Sequence, residues 1–369
     1  MSAKAILVIC DPHDPLERVV LGGVAAWMQR HRPNWQITLR RLTSAAAGRA
    51  LRSWHGDGAL CTERRSWRGA WIERLAFPCI NTLGLVERPR LPSVLGDDAA
   101  IGRSCAEHLL ERGYRRLVIL GHGTSGFVLR RMAGALEHAR QAGAAARVQS
   151  WRADFAPTPG EEPVGYICSE DLLARDCLQA LTRAGVAVPG AAAVVGINND
   201  VLCCGLHRPT ISSCDLACER RGWEAAALLD RLLAGAARPD APLRLPPRGV
   251  VQRASTGAFA AGDPVLERTW RFLRAAAERP VRVAELVTAS GVSRRTLEHR
   301  VRARLGFGLQ EAIWRAHVAQ AKELLQDPEC DENLLGIALA SGFVSASAFA
   351  TVFKRHTGAS PREWRRRWS

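Results

Sequence analysis

Charged side chains are concentrated between residues 293 and 302, where they could bind a polyanion. The set comprises Ser293, Arg294, Arg295, Glu298, His299 and Arg302. Leu297 and Val301, four residues apart, would share the inward face of a helix, so the charged side chains would point outward. An arginine guanidinium can donate two hydrogen bonds to O6 and N7 of guanine, or it can bind a phosphate. The segment therefore predicts contacts with double-stranded DNA.

A second outward-facing set lies between residues 345 and 355 and differs in chemistry. Its members are Ser345, Ala346, Ser347, Ala350, Lys354 and Arg355, and its apolar pair is Phe349 and Phe353. The small residues offer few hydrogen bonds to bases and permit close approach, whereas the two cations suit phosphates. We expect the first set to read bases and the second mainly to position the protein. The Arg365–Arg367 run is either a further phosphate contact or a solvated tail.

Each set follows an apolar helix and a glycine that can adopt a positive φ and end that helix sharply. The glycines are Gly291 and Gly342, so helix-turn-helix units are predicted at about residues 283–304 and 334–356. A connecting helix over Leu309–Gln326 would be about 27 Å long, close to the ~34 Å between successive major grooves. The two units are therefore spaced to occupy neighbouring grooves.

Composition supports a multidomain protein with a polyanionic partner. The chain has 369 residues, is 47% hydrophobic and carries a net charge of +15. From residue 264 onward, 18 Lys and Arg oppose 11 Asp and Glu, so positive charge is denser in the last third. Ten of the eleven cysteines precede residue 264, without a Cys-x-x-Cys pair. We interpret them as small buried hydrophobes in a reducing cytoplasm, and we expect neither a disulfide framework nor a metal site.

The first 253 residues alternate apolar runs with amphipathic segments, which is typical of doubly wound parallel sheets. Strands are predicted at Ala5–Cys10, Gln36–Leu39, Gly58–Cys61, Cys79–Asn81, Leu117–Leu120, Val164–Cys168 and Ala193–Ile197. Helices are predicted at Leu16–Gln29, Trp67–Leu75, Ile101–Arg112, Leu129–Ala142, Leu172–Ala184 and Glu219–Ala234. The first apolar run ends at Asp11, too early for an export signal or a membrane span, so a cytoplasmic protein is expected.

Ligands of such sheets bind at the carboxyl ends of the strands, so a site is expected in the loops that begin there. One of these loops, GHGTSG at residues 121–126, matches the glycine pattern of dinucleotide-binding proteins. Arg147 stands near the position where that fingerprint needs an acidic residue. The alternatives are a nucleotide site or a flexible loop, and we expect no cofactor.

Three segments of the first part resemble the effector domain of LacI-type repressors, which is related to periplasmic sugar-binding proteins. They cover residues 96–121, 163–181 and 192–235 and begin GDDAAIGRS, PVGYICSED and AAVVGINND. The resemblance implies a two-lobed α/β domain that closes on a small sugar-like effector. Matched by position, its ligand residues are Asp97, Arg131, Glu170, Asp171, Asn198 and Asp200.

Other interpretations of these residues remain open. Asp97 is equally suited to cap a helix, Arg131 to lie on the surface, and Asn198 or Asp200 to form a turn. Glu170 replaces the Asn and Asn198 replaces the Asp that the family usually has. An amide both donates and accepts hydrogen bonds, so the hydroxyl pattern or charge favoured by the site changes.

Residues 266–367 resemble the AraC-type DNA-binding domain, above all in GFVSASAFATVFKRHTGASP. The domains are accordingly placed at 1–253 and 264–369, with a small-residue linker at 254–263 that ends in Asp263. An effector domain ahead of the DNA reader reverses the LacI-type order. This order resembles that of the bacterial xylose operon regulators, although Glu170 and Asn198 argue against xylose itself as the effector.

The sequence thus favours a ligand-responsive transcription regulator that activates a sugar-utilisation operon. Its expected partners are double-stranded DNA, a sugar or sugar derivative, a second copy of the chain in a homodimer, and RNA polymerase if it activates; no membrane is expected. A nucleotide-dependent sugar-modifying enzyme with a DNA-binding tail is the alternative, and it rests on the GHGTSG loop.

Overall fold

A computed structural model describes residues 3–31, 33–42, 44–67, 69–122, 125–152, 154–155, 157, 162–257, 263–326 and 330–366. The chain divides into two compact units. The first contains residues 1–110 and 114–257, and the second contains residues 111–113 and 258–369. In the described part of the chain, no helix is long and apolar enough to cross a membrane.

The first unit is built on two mainly parallel sheets. Its strands are β1 Lys4–Ile9, β2 Trp35–Arg40, β3 Gly58–Cys61, β4 Cys79–Asn81, β5 Val94–Gly96, β6 Arg116–Gly121, β7 Ala145–Ser150, β8 Val164–Cys168, β9 Ala192–Ile197, β10 Ser212–Asp215, β11 Leu243–Leu245 and β12 Gly249–Val251. One sheet has the order β2-β1-β3-β4, and the other has β12-β10-β9-β8-β6-β7. A short β5–β11 pair stands apart, and β10–β12 is antiparallel. The predicted α/β class with doubly wound sheets is confirmed.

Helices cover these sheets because the connections between parallel strands cross over their faces. They are α1 Pro15–His31, α2 Ser44–Arg52, α3 Asp98–Leu110, α4 Gly126–Gln141, α5 Asp171–Arg183, α6 Val201–Gly205 and α7 Cys218–Leu233. The backbones of α3 and α4 approach closely at Gly102 and Gly134, where a Cβ atom would overlap carbonyl groups of the other helix. This close crossing brings the start of α3 beside Arg130 and Arg131 on α4.

The helix predicted over Trp67–Leu75 is wrong, since only a short 3-10 turn forms at Ala70–Arg74. Gly69 explains the difference, because its φ of 89° lies outside the right-handed helical region. The Arg90 guanidinium binds the carbonyls of Trp67 and Gly69 at 2.6 and 2.9 Å and so holds this bend.

The second unit is helical. Its elements are α8 Pro264–Ala275, α9 Val283–Ser290, α10 Arg294–Leu305, α11 Leu309–Gln326, α12 Leu334–Ala340, α13 Ala346–Thr357 and α14 Pro361–Arg366. The first half of α11 joins a core with α8, α9 and α10. Its second half packs beside α12, α13 and α14, where aromatic contacts run from His317 through Phe343, Phe349 and Phe353 to Trp364. The predicted helical domain is confirmed.

The residues predicted to form the linker, 254–263, do not form one uniform segment. The turn Ala254–Thr256 packs into the first unit, where Ser255 donates to the carbonyl of Val194 at 2.6 Å. Residues 258–262 lie outside the described residues. Asp263 caps α8 through the backbone amide of Val265 at 2.9 Å and binds Arg300 at 2.9 Å.

Candidate functional site

The first helix-turn-helix unit is α9, a tight turn and α10. Gly291 ends α9 with a φ of 72°, the left-handed conformation that favours glycine. Ser293 then caps α10 by accepting a hydrogen bond from the amide of Thr296 at 3.2 Å. Leu297 and Val301 are buried in the core, as their spacing predicted. The side chains of Arg294, Arg295 and Arg302 are therefore held outward by a well-packed helix.

The outward surface of α10 is dominated by arginine. Arg294, Arg295 and Arg302 are exposed, and together with Glu298 they line a shallow depression. Glu298 binds Arg302 at 3.1 Å, so this carboxylate is already satisfied within the helix. His299 is also exposed. The surface thus presents guanidinium groups that can bind guanine edges or phosphates.

The second helix-turn-helix unit consists of α12, a glycine turn and α13, and a serine again caps its second helix. Asn333 caps α12 through the amides of Leu335 and Gly336, both at 2.9 Å. Gly342 turns the chain with a φ of 77°. Ser345 caps α13 through the amide of Ala348 at 3.2 Å. The hydroxyls of Ser293 and Ser345, both predicted to touch DNA, are thus engaged by the protein itself.

The outward residues of α13 are of two kinds. Ala346, Ser347 and Ala350 are exposed near its start, as is Lys354 towards its end. Arg355 donates to Glu311 of α11 at 2.8 Å and lies over the ring of Trp314 at 4.5 Å. Arg355 therefore connects α13 to α11. To contact a phosphate, its guanidinium would have to keep or exchange the bond to Glu311.

Of the Arg365–Arg367 run, Arg365 is partly buried and contacts the carbonyl of Glu332, and Arg366 is exposed. Arg367 lies outside the described residues. The first of these arginines is therefore partly structural.

In the first unit, three of the predicted ligand carboxylates have internal partners. Asp97 accepts from the amide of Ala100 at 3.0 Å and so caps α3. Asp200 caps α6 through the amides of Leu202 and Cys203 at 3.0 and 3.2 Å. Asp171 is buried and accepts from Ser213 at 2.5 Å. Burial raises the pKa of the Asp171 carboxyl, and the Ser213 hydrogen bond opposes that rise.

Arg131 is only 5% exposed, so the interpretation of this residue as a surface arginine is wrong. It donates to the carbonyl of Ser169 at 3.0 Å and lies 3.4 Å from Asp98. Burial lowers the pKa of Arg131, and the charge of Asp98 opposes the shift. Arg130 also holds Asp98, through donor distances of 3.0 and 2.8 Å. The pair of arginines neutralises Asp98 and braces the backbone at the end of β8.

Two polar atoms at the carboxyl ends of β8 and β9 have no protein partner. Ser169 Oγ follows β8, Asn198 Oδ1 follows β9, and both atoms are buried without a hydrogen bond. Asn198 also has a φ of 127°, a strained conformation for a non-glycine residue. An unsatisfied buried polar atom is costly, so a ligand that hydrogen-bonds to these two groups would relieve that penalty.

Glu170 lies next to this pair and completes a polar edge. It caps α5 by position without a side-chain hydrogen bond to the helix. Instead its carboxylate lies 2.9 Å from Nε2 of His122, which follows β6. The polar edge therefore consists of the Ser169 hydroxyl, the Asn198 amide, the Glu170 carboxylate and the His122 imidazole. This mixture of groups is suited to a neutral polyhydroxy compound.

Sequence reasoning named Glu170 and Asp171 in the loop that begins at Ser169, but it did not name Ser169 itself. It also missed Asp98, Arg130 and His122. The signal for Ser169 was present, since the residue directly follows a buried parallel strand. The pairing of Asp98 with Arg130 depends on the α3–α4 crossing and had no sequence signal.

The GHGTSG loop provides His122 to this edge, while Gly123 and Thr124 lie outside the described residues. Its last glycine, Gly126, begins α4. Among the described residues, no group of three or more His, Cys, Asp or Glu is arranged to hold a metal ion.

Two domain families match the chain. Residues 106–256 match the periplasmic binding protein-like domain, and residues 286–367 match a helix-turn-helix domain. The match to the helix-turn-helix domain includes the arginine-rich α10. The match to the periplasmic binding protein-like domain includes the polar edge around Ser169.

One curated relative and one solved structure align with nearly the whole chain. The xylose operon regulatory protein of Escherichia coli K12 is 26% identical over 98% of this chain and 96% of its own length. The protein of the same description from Haemophilus influenzae is 31% identical over 54% of this chain and 51% of its own length. The solved structure of a xylose-binding transcription activator, xylR, covers 99% of this chain and 98% of its own, with a TM-score of 0.60 and 23% identity. That structure shares the fold of both units in the same order.

Proposed function

Because this chain is an AraC-type transcription regulator in which a periplasmic binding protein-like domain precedes the DNA reader, we propose that a sugar or sugar derivative bound at the polar edge controls its binding to DNA. The relatives are regulators, and the alternative of a nucleotide-dependent enzyme is set aside. The observation that carries the proposal is the pair of unpartnered polar atoms, Ser169 Oγ and Asn198 Oδ1.

The chemistry of this edge indicates what the effector must offer. Ser169 can donate or accept, and the Asn198 oxygen requires a donor, which a sugar hydroxyl supplies. Glu170 accepts from a second hydroxyl when it is ionised, and His122 orients it. The relatives are named for xylose, but Glu170 and Asn198 alter the expected hydrogen-bond pattern. We therefore propose an effector of the same class whose hydroxyl pattern differs from that of xylose.

Activation of an operon for sugar use is part of the proposal, because the solved relative is described as a transcription activator. An activator needs contact with RNA polymerase, and a homodimer would place two DNA-reading units on neighbouring half-sites. Four of the predicted ligand residues already have protein partners for their side chains: Asp97, Arg131, Asp171 and Asp200. We propose that they hold the loops of the polar edge in place and do not contact the effector themselves.

The test is a thermal-shift screen of the full chain against pentoses, hexoses and sugar acids. We expect at least one sugar to raise the melting temperature. Ser169→Ala should leave the ligand-free melting temperature unchanged or raise it slightly, because its hydroxyl has no partner to lose and its burial is costly. It should weaken effector binding about two- to tenfold, the value of one hydrogen bond.

Ser255→Ala is the matched control. Ser255 is buried and bonded to Val194 and Ser212, so its loss should lower the melting temperature without changing effector affinity. Wild-type effector affinity in Ser169→Ala would contradict the proposed site.

A further inference from the structure

The first two turns of α13 and the residue before its cap form an uncharged surface. Residues 344–351 read VSASAFAT and contain no charged or amide side chain. Of these, Val344 is 75% exposed, and Ala346, Ser347, Ala350 and Thr351 are exposed as well. Phe349 is buried and anchors the segment. Four of the five exposed side chains thus end in methyl groups.

This surface lies where a recognition helix meets base edges. In helix-turn-helix proteins the N-terminal residues of the second helix contact the bases in the major groove. Lys354 lies eight residues beyond Ala346, about 12 Å further along the helix, and Arg355 is engaged by Glu311. The cations of α13 are therefore placed for the backbone of the DNA rather than for the bases under its first turns.

Four of the five exposed side chains carry a methyl group, so the surface favours one kind of base contact over the hydrogen bonds that the hydroxyls of Ser347 and Thr351 could make. Guanine is read by arginine or lysine and adenine by asparagine or glutamine, and residues 344–351 contain none of these. The Ser345 hydroxyl is engaged in capping α13. The C5-methyl group of thymine is the base feature that apolar side chains contact in the major groove.

We infer that the second helix-turn-helix unit reads thymine methyl groups through Val344, Ala346, Ala350 and Thr351. This inference rests on the proposed placement of α13 in the major groove. It changes the expectation that α13 is only a positioner, and it implies a bipartite half-site. The segment under α10 is read through guanine, and the segment under α13 is read through thymine.

The experiment removes the methyl group without changing base pairing. Duplexes that bind the full chain are first selected from a random pool. Each thymine of a selected duplex is then replaced in turn by deoxyuridine, and affinity is measured by fluorescence anisotropy at fixed salt. We expect an affinity loss of about fourfold per contacted methyl group, the transfer free energy of one such group.

The Val344→Ser variant should bind the thymine duplex more weakly than the wild type does. Its affinity should no longer change when deoxyuridine replaces the thymine that Val344 contacts. Val344→Ile, which keeps the apolar contact, should retain that sensitivity. Because Val344 is exposed, both variants should melt like the wild type.

Deoxyuridine that leaves wild-type affinity unchanged at every position would overturn the inference, and so would equal sensitivity in wild type and Val344→Ser. A chain that selects no duplex at all would instead overturn the proposed DNA-reading function.

Discussion

At the scale of single residues, Arg295 is the base-reading group that we propose, and it has no competing role among the residues that the structure describes. It is exposed beside the depression on α10, whereas Arg302 is paired with Glu298 and Arg355 with Glu311. An arginine already bound to a carboxylate must give up or share that contact to bind DNA. Arg295 is therefore the sharpest test of how the first unit reads its site.

Arg295→Ala should lower specific DNA affinity about 5- to 150-fold, because a bidentate arginine–guanine pair contributes roughly 1–3 kcal/mol. Effector affinity of the DNA-free protein should stay unchanged. Arg271→Ala is the control, since Arg271 is also exposed but binds Glu267 on α8. If the footprint of Arg295→Ala matched that of the wild type, the proposed placement of α10 in the major groove would be wrong.

At the scale of elements, α11 is the strut that aligns the two DNA-reading helices. Its first half shares a core with α10, and Glu311 on it binds Arg315 and Arg355 at 3.0 and 2.8 Å. Near the middle of α11, His317 packs against Phe343 beside the Gly342 turn. The tightness of that turn therefore decides how α13 sits against α11.

Gly342→Ala should destabilise the second unit by about 3 kcal/mol, since it adds a strained positive φ and a steric overlap. A Cβ atom there would lie 2.6 Å from both the Arg279 carbonyl and His317 Nε2. Gly358→Ala is a matched control with a φ of 74° and open space around it, so about 1 kcal/mol is expected. Calorimetry of the full chain distinguishes them, and equal effects would refute the steric argument.

At the scale of the whole molecule, we propose that effector binding by the first unit and DNA binding by the second unit are coupled. If the effector changes DNA affinity by some factor, DNA changes effector affinity by the same factor. The structure of each unit supplies the binding groups, and the coupling between them is an equilibrium property of the full chain.

We expect this coupling to lie in the usual range of about 5- to 150-fold. DNA affinity measured with and without the sugar, and sugar affinity measured with and without DNA, should give one common factor. Ser169→Ala should shift the sugar concentration required without shifting DNA affinity in the absence of sugar. An effector that binds tightly yet leaves DNA affinity unchanged would contradict the proposed control.

Much of the architecture was predictable because hydrophobic periodicity reports it directly. The seven predicted strands are present, with ends that agree to within one residue, and α11 has the predicted bounds. Among the strands that were not predicted, β7 and β10 show why hydrophobic periodicity fails. β7 is an edge strand with mostly exposed side chains, and β10 buries serines rather than branched apolar residues. Neither carries the apolar run that marks a strand.

The sequence by itself determined the two-part organisation, the helix-turn-helix units and the arginines of α10, because these follow from local spacing. Tertiary structure alone decided which polar groups remain available. The Asp171 carboxylate proved to be bound by Ser213, 42 residues away in the chain, whereas the side-chain atoms Ser169 Oγ and Asn198 Oδ1 were left without partners. The physical reason is that hydrogen-bond satisfaction depends on groups far apart in the chain, and no local pattern reports it.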